Sequence, residues 1–294
     1  MNQIPSSRLL RTFGLTLLLG LIASCATQNA PVTSTAGQAP KPQPTPAVTT
    51  PVAATPSPSV AIQTAGELVV ELDARDPSAG TATWVNKGSM GNFTRVGAPK
   101  LASAGGQPAV EFNGTNDAYR SEKPVPATLA GAHARSIEVW VFNPNLDSTE
   151  ECLVAWGHRG TSLANMAFNY GSGGAFSAVT HYDEDMSWGD ESPAAGRWHY
   201  LVYTYDGSTA KIYDNAVERG SEEFALVTAD DTRMNIAVEN SASDEPLFQS
   251  EFDPNWPLSL SGFIATVRVR TGALTADQVK ASFTADAARF GVSP

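Results

Sequence analysis

The sequence predicts an all-β sandwich closed by a single C-terminal helix, and three observations carry that prediction. From Gly66 onward the chain is a succession of short runs rich in Val, Ile, Tyr, Phe and Trp, each bounded by Gly, Asn, Asp, Ser or Pro; this is how strands separated by turns read. Only the stretch from Thr275 to about Phe290 carries helix signals. A long series of strands followed by one helix leaves no alternating βαβ units, which favours antiparallel sheets in one domain.

The first 25 residues read as a targeting segment. Arg8 and Arg11 precede an apolar run, Phe13 to Ala23, of eleven residues, too short for a membrane span of ~20 residues. Ile22-Ala23-Ser24-Cys25 follows and resembles the lipobox of bacterial lipoprotein signal peptides, although leucine is the commoner first residue. The resemblance implies acylation of Cys25 and export to the cell membrane or outer membrane, with several acyl chains making a firm anchor. Residues 26–65 hold eight prolines among Ala, Thr, Ser and Gln, with no acidic and no aromatic residue. Such a segment cannot offset its chain entropy by burial and is expected to be a disordered tether, reaching at most ~120 Å at ~3.1 Å per residue.

Residues 66–294 form the expected domain. Eleven runs read as strands: Leu68 to Leu72, Ala109 to Phe112, Ala118 to Ser121, Ser136 to Phe142, Cys152 to Trp156, Met166 to Tyr170, Phe176 to Thr180, Trp198 to Tyr205, Ala210 to Tyr213, Met234 to Val238 and Gly262 to Arg270. The helix opens with Thr275-Ala-Asp-Gln278, in which the hydroxyl and the Gln side chain satisfy free backbone N–H groups. Ser136–Phe142 and Trp198–Tyr205 are apolar on both faces, so they are expected at the centre of a sheet with one face in the inter-sheet core and the other covered.

Charge excludes one class of partner. All 30 acidic residues lie from Glu67 onward, and three of the 19 basic ones precede it, so the domain carries 16 − 30 = −14. Nucleic acid needs a basic footprint that this chain lacks. Anionic polysaccharides are expected to bind poorly unless a divalent cation bridges them. Of the two cysteines, Cys25 belongs to the lipobox and Cys152, in the apolar stretch Glu151-Cys152-Leu153-Val154-Ala155-Trp156, reads as a small buried hydrophobe.

Four segments resemble the laminin G-like, concanavalin A-like jelly-roll family of bacterial extracellular proteins: Val110 to Tyr119, Ser136 to Phe142, Trp198 to Asp214, and Gly262 to Arg270 followed by Ala273 to Val279. The third, with its Tyr-Asp-Gly-Ser turn, is the most specific. The resemblance implies a concanavalin A-like jelly roll over nearly all of residues 66–294. Where many relatives hold a structural calcium with an acidic residue in the last strand, this chain has Ala265. The hairpin after Tyr213 runs Asp214-Asn215-Ala216 instead of the usual Asp-Gly.

Between Trp156 and Trp188, aromatic residues alternate with carboxylates, amides and an arginine. Sugar sites use that mixture, because rings stack on the C–H faces of a pyranose while polar groups fork its hydroxyls. The expected ligand-binding residues are His158, Arg159, Asn169, His181, Tyr182, Asp183, Asp185 and Trp188. The alternative is that the two tryptophans only cover the sheet and the acidic run is a solvated loop. Calcium is the candidate cofactor, through Asp183, Asp185 and Asp190 or through Asp73 and Asp76 in the first loop.

Glu71-Leu-Asp-Ala-Arg-Asp76 loosely resembles the catalytic strand of laminarinase-type glycoside hydrolases, but it stands in the first strand and ends in the shorter Asp76. The expectation is therefore a chain that is not an enzyme: a lipid-anchored lectin for glycan or another cell-envelope ligand. A protein-interaction or structural domain of the envelope is the competing reading, and a laminarinase-like hydrolase the third.

Overall fold

The computed structural model describes residues 64–146, 148–189 and 192–294. Cys25, the tether up to residue 63 and Asp190 lie outside the described residues. Two eight-stranded antiparallel sheets face each other across a common core. The first runs, in spatial order, Val217–Glu223, Thr209–Asp214, Trp198–Tyr205, Arg135–Phe142, Ser261–Arg270, Gln107–Asn113 and Lys100–Ala104, with Leu68–Asp73 also paired to Ser261–Arg270. The second runs Asp185–Met186, Val179–Thr180, Asn165–Asn169, Cys152–Gly157, Arg233–Ile236, Ala118–Pro124, Phe93–Val96 and Thr83–Trp84. Among the described residues no helix is long and apolar enough to cross a membrane.

The two-faced strands lie at the centre of the first sheet, as their sequences require. Ile137, Val139, Leu201, Tyr203, Val267 and Val269 enter the inter-sheet core. On the opposite face Trp140, Trp198, Tyr200 and Ala265 meet Phe283 and Phe290 in a second apolar cluster. The helix Ala276–Ala287 supplies that cover, continued by the 3-10 turn Ala288–Phe290. Its capping box is formed, with the Thr275 hydroxyl accepting from the Gln278 amide, and the chain leaves the helix at Gly291 in a left-handed conformation. The Trp140 ring stacks 4.0 Å from Phe290 and lies 5.3 Å from Tyr200, each such buried ring stabilising the fold by roughly 1.5–3 kcal/mol. Ala265, in place of an acidic residue, belongs to this packing.

Cross-strand register in the second sheet separates two rows of side chains. Tyr119, Ile236, Val154, Phe168, Val179 and Met186 are successive partners, and all of them enter the core. One residue along, the partners are Arg120, Asn235, Ala155, Ala167, Thr180 and Asp185. By the period of two, this outer row is small at its middle and polar at its ends. It takes a loop as cover instead of a helix. Asn240, in the short hairpin Glu239–Asn240 with Pro246–Leu247, donates to the Gly157 carbonyl at 2.8 Å and accepts from Asn235 at 2.9 Å. Cys152 is buried beside Ala155 and Ala167, and desolvation pushes its thiol well up.

All eleven expected strands are present, two of them shortened. Met234–Val238 stops at Ile236, where Ala237 turns to φ 68°, and Phe176–Thr180 pairs only at Val179–Thr180. The strands Thr83–Trp84, Phe93–Val96, Lys100–Ala104, Asp185–Met186, Val217–Glu223, Glu239–Asn240 and Pro246–Leu247 were not expected. They are short or at sheet edges, where polar side chains hide the alternation. The Asn215-Ala216 turn has both residues at positive φ, 50° and 64°. That is the two-residue hairpin geometry, comfortable for Asn and strained for Ala.

Candidate functional site

A cleft of about 270 Å³ opens on the outer face of the second sheet. Its base is formed by Glu150, Arg159 and Thr180, one wall by Tyr182, Asp183 and Asp185, and the other by Phe176, Phe252 and Trp256. Glu150 and Arg159 flank the strand Cys152–Gly157 at opposite ends, and their side chains meet over its small outer residues. The aromatic wall joins two distant segments: Phe176 precedes Val179–Thr180, Trp256 comes from the loop covering the sheet, and their rings lie 5.2 Å apart. The Trp256 Nε1–H is buried without a hydrogen-bond partner. Phe252 is 70% exposed at the mouth.

The opposite wall is a tight hairpin turn. The His181 amide donates to the Glu184 carbonyl, and the two residues between, Tyr182 and Asp183, sit at φ 66° and 70°. Asp tolerates that region through local hydrogen bonding, whereas for Tyr it costs roughly 1 kcal/mol. Such local strain persists where the surroundings over-determine it. Here it aims Tyr182 and Asp183 into the cleft.

The base is charged and dry. Arg159, 6% exposed, donates through Nη1 and Nη2 to both oxygens of Glu150, through Nη1 to Glu239 and through Nε to Glu251, at 3.2–3.3 Å. Four of its five N–H groups are thus committed. The Thr180 hydroxyl donates to Glu150 and the Asn240 amide to Glu239. Burial pushes the Glu239 carboxyl up to about 7, against the pull of Arg159. Burial likewise raises Asp185 to about 6, partly offset by the amide of His181. Burial opposes the charge on Arg159, yet the carboxylates of Glu239 and Glu150 raise its pKa.

Of the eight residues expected to bind ligand, Arg159, Tyr182, Asp183 and Asp185 line this cleft. The structure places the other four elsewhere, which corrects their assignment. His181 is fully buried between Tyr203 and Phe224 and accepts or donates only inward, to the Asn165 carbonyl and Tyr203 hydroxyl. Burial pushes its pKa down to about 3. Asn169 is fully buried and holds the Phe176 carbonyl. Trp188 is 2% exposed and packs on Phe168 in the core, so neither of its faces meets a ligand. His158 bonds the Ala242 carbonyl and Asp231, outside the cleft. The cleft residues that were not expected, Glu150, Phe176, Thr180, Phe252 and Trp256, were partly readable. The run Phe248 to Trp256 has the same mix of aromatic and acidic residues, but its approach to the sheet is a long-range event.

The candidate calcium ligands of the first loop are occupied by other partners. Asp73 is gripped by Arg75 and lies 3.6 Å from Arg289, and Asp76 caps its own turn through Ser78. Glu71 lies 3.6 Å from Arg268. Among the described residues no three His, Cys, Asp or Glu side chains converge as a metal site. Asp183 and Asp185 share the cleft wall, and Asp190, the third ligand expected with them, lies outside the described residues.

The family model of the concanavalin A-like lectin/glucanases superfamily matches residues 113–280, more than half of the chain. The chain belongs to this superfamily. No curated protein sequence matches it. Among solved structures it is similar to the Trypanosoma rangeli sialidase in complex with sialic acid, at 14% identity and a TM-score of 0.53, over 76% of this chain and 33% of the sialidase. The same sialidase bound to 2,3-difluoro-KDN superimposes at 16% identity and 0.52, over 79% and 35%. Domain 4 of AbnA, a GH43 extracellular arabinanase from Geobacillus stearothermophilus in complex with arabinotriose, matches at 19% identity and 0.49, over 74% and 98%. The chain thus spans about a third of the sialidases it resembles. The sialidases overturn the expectation that the chain is not an enzyme at the level of fold: the same fold forms part of an enzyme.

Proposed function

We propose that the chain is a carbohydrate-binding module whose ligand occupies the cleft between the Phe176–Trp256 pair and the Tyr182–Asp183 turn. One observation carries the reading. An aromatic wall stands opposite hydroxyl and carboxyl groups across a cleft of about 270 Å³, the chemistry that a sugar ring takes. Membership of a superfamily of lectins and glucanases supports it. The test is a glycan and peptidoglycan array probed with the full-length chain beside Trp256→Ala. Binding that this substitution removes supports the lectin. Silence on every array, or binding indifferent to Trp256, sinks it and moves attention to a protein partner in the envelope.

We further place the module on a membrane through acylated Cys25, with residues 26–65 as its spacer. Incorporation of labelled fatty acid into the wild type and its loss in Cys25→Ser is the expected result; equal labelling contradicts it. A glycoside hydrolase acting at the same cleft is favoured by one feature, the Asp185 carboxyl pushed up to about 6 by burial beside Glu150, the protonation a general acid needs near neutral pH. That reading requires reducing ends to accumulate from an array-positive glycan, and Asp185→Asn to stop their release while leaving binding intact.

A further inference from the structure

The charge of the cleft narrows the class of sugar, and this step rests on the carbohydrate reading above. Five carboxyls, Glu150, Asp183, Asp185, Glu239 and Glu251, stand in or directly beneath the cleft against one guanidinium, Arg159. A lone arginine in a sugar cleft ordinarily marks a site for an acidic sugar, because its planar fork matches a carboxylate. Here the fork is already closed on Glu150, Glu239 and Glu251. A uronate or sialate entering the cleft would meet no free guanidinium and would add negative charge beside Asp183 and Asp185. Those two wall carboxyls lack an arginine or lysine partner of their own among the described ion pairs, although Asp185 accepts from the His181 amide. An ammonium group there would instead gain the two carboxylates of Asp183 and Asp185.

We propose that the cleft selects amino sugars carrying a free amine, such as de-N-acetylated hexosamine oligomers, over their acetylated, neutral and acidic counterparts. The recognition is local. It depends on Asp183 and Asp185 at the wall and not on the acidity of the whole domain.

Isothermal titration of the full-length chain with four pentamers tests it: glucosamine, N-acetylglucosamine, a neutral glucan and a galacturonate. The glucosamine pentamer is expected to bind about tenfold tighter than its acetylated form, the scale of one partly buried ion pair. Asp185→Asn, in which the side-chain carbonyl still accepts from the His181 amide, should erase that preference. Asp183→Asn, on the surface turn, serves as a second variant should the first fold poorly. Glu222→Gln, on the exposed edge strand Val217–Glu223, removes one negative charge, as each cleft variant does, without touching the cleft and should leave the preference intact. Equal affinity for free and acetylated pentamers overturns the selectivity while leaving the carbohydrate module standing. Tighter binding of the galacturonate, or a preference lost equally in the edge-strand variant, also overturns it. Binding of none of the four, together with silent arrays, overturns both.

Discussion

Replacing Arg159 by leucine probes the base of the cleft most sharply, because one side chain holds three carboxylates. Glu150 and Glu239 are 3% and 1% exposed, so neither is rescued by water when the guanidinium is gone. Removing one partner of a buried ion pair costs about 3–5 kcal/mol, and that is the loss expected at pH 8. The cost must shrink in acid. Glu239 is already raised to about 7 by burial while Arg159 pulls it down, so in the variant it titrates higher still and is protonated at pH 5. Protonation of Glu239 removes one of the buried charges that the leucine strands, leaving about 1–3 kcal/mol. For a domain of this size ~1 kcal/mol shifts Tm by ~2–4 °C, so the melting temperature should drop by ~6–20 °C at pH 8 and by ~2–12 °C at pH 5. Urea and thermal unfolding followed by tryptophan fluorescence at both pH values measures it. An equal cost at the two pH values, or a cost below ~1 kcal/mol at pH 8, would refute a dry base built on Arg159.

Three further outcomes follow from the packing. Ala216→Gly relieves a residue at φ 64° in the hairpin turn and should raise stability by about 1 kcal/mol, read as a shift in the urea midpoint; a lower midpoint contradicts the strain. Trp140→Ala, at the centre of the cluster with Phe283 and Phe290, should cost about 3–5 kcal/mol and accelerate amide exchange throughout Ala276–Ala287, whereas protection unchanged in that helix would show it is held by other contacts. His181 has a folded pKa near 3, lowered first by burial, while an unfolded histidine takes up a proton near ~6.5. The unfolded state therefore binds more protons between those values, and stability falls as pH drops through that window by up to ~1.4 kcal/mol per pH unit. In His181→Phe that component is absent, and unfolding free energies at pH 6.5 and 4.5 should draw closer together; an unchanged difference contradicts it.

The architecture was legible wherever local pattern and global packing agree. Trp198–Tyr205 reads as a two-faced central strand, and it lies between core and helix; Thr275 and Gln278 read as a capping box, and both bonds are made. The site was legible by half. Arg159, Tyr182, Asp183 and Asp185 were found because aromatic and acidic residues cluster between Trp156 and Trp188. Within that same cluster the strand period turns Trp188 inward and His181 under the turn, and a composition argument cannot see which way a side chain faces. Trp256 and Phe252 were missed for the opposite reason: their loop meets the cleft through Glu239, Asn240 and Glu251, contacts made across some 80 to 90 residues of chain. Edge strands such as Val217–Glu223 were invisible because exposed charged residues carry no alternation.

The most direct test of the central claim is a crystal structure of the chain with a pentasaccharide that the array identifies. The account predicts sugar density in the cleft, with one ring against Trp256 and hydroxyl or amine groups within hydrogen-bond distance of Asp183 or Asp185. Density at another surface depression, such as the one bounded by Gly97, Glu111 and Asp117, with the cleft empty, would contradict it.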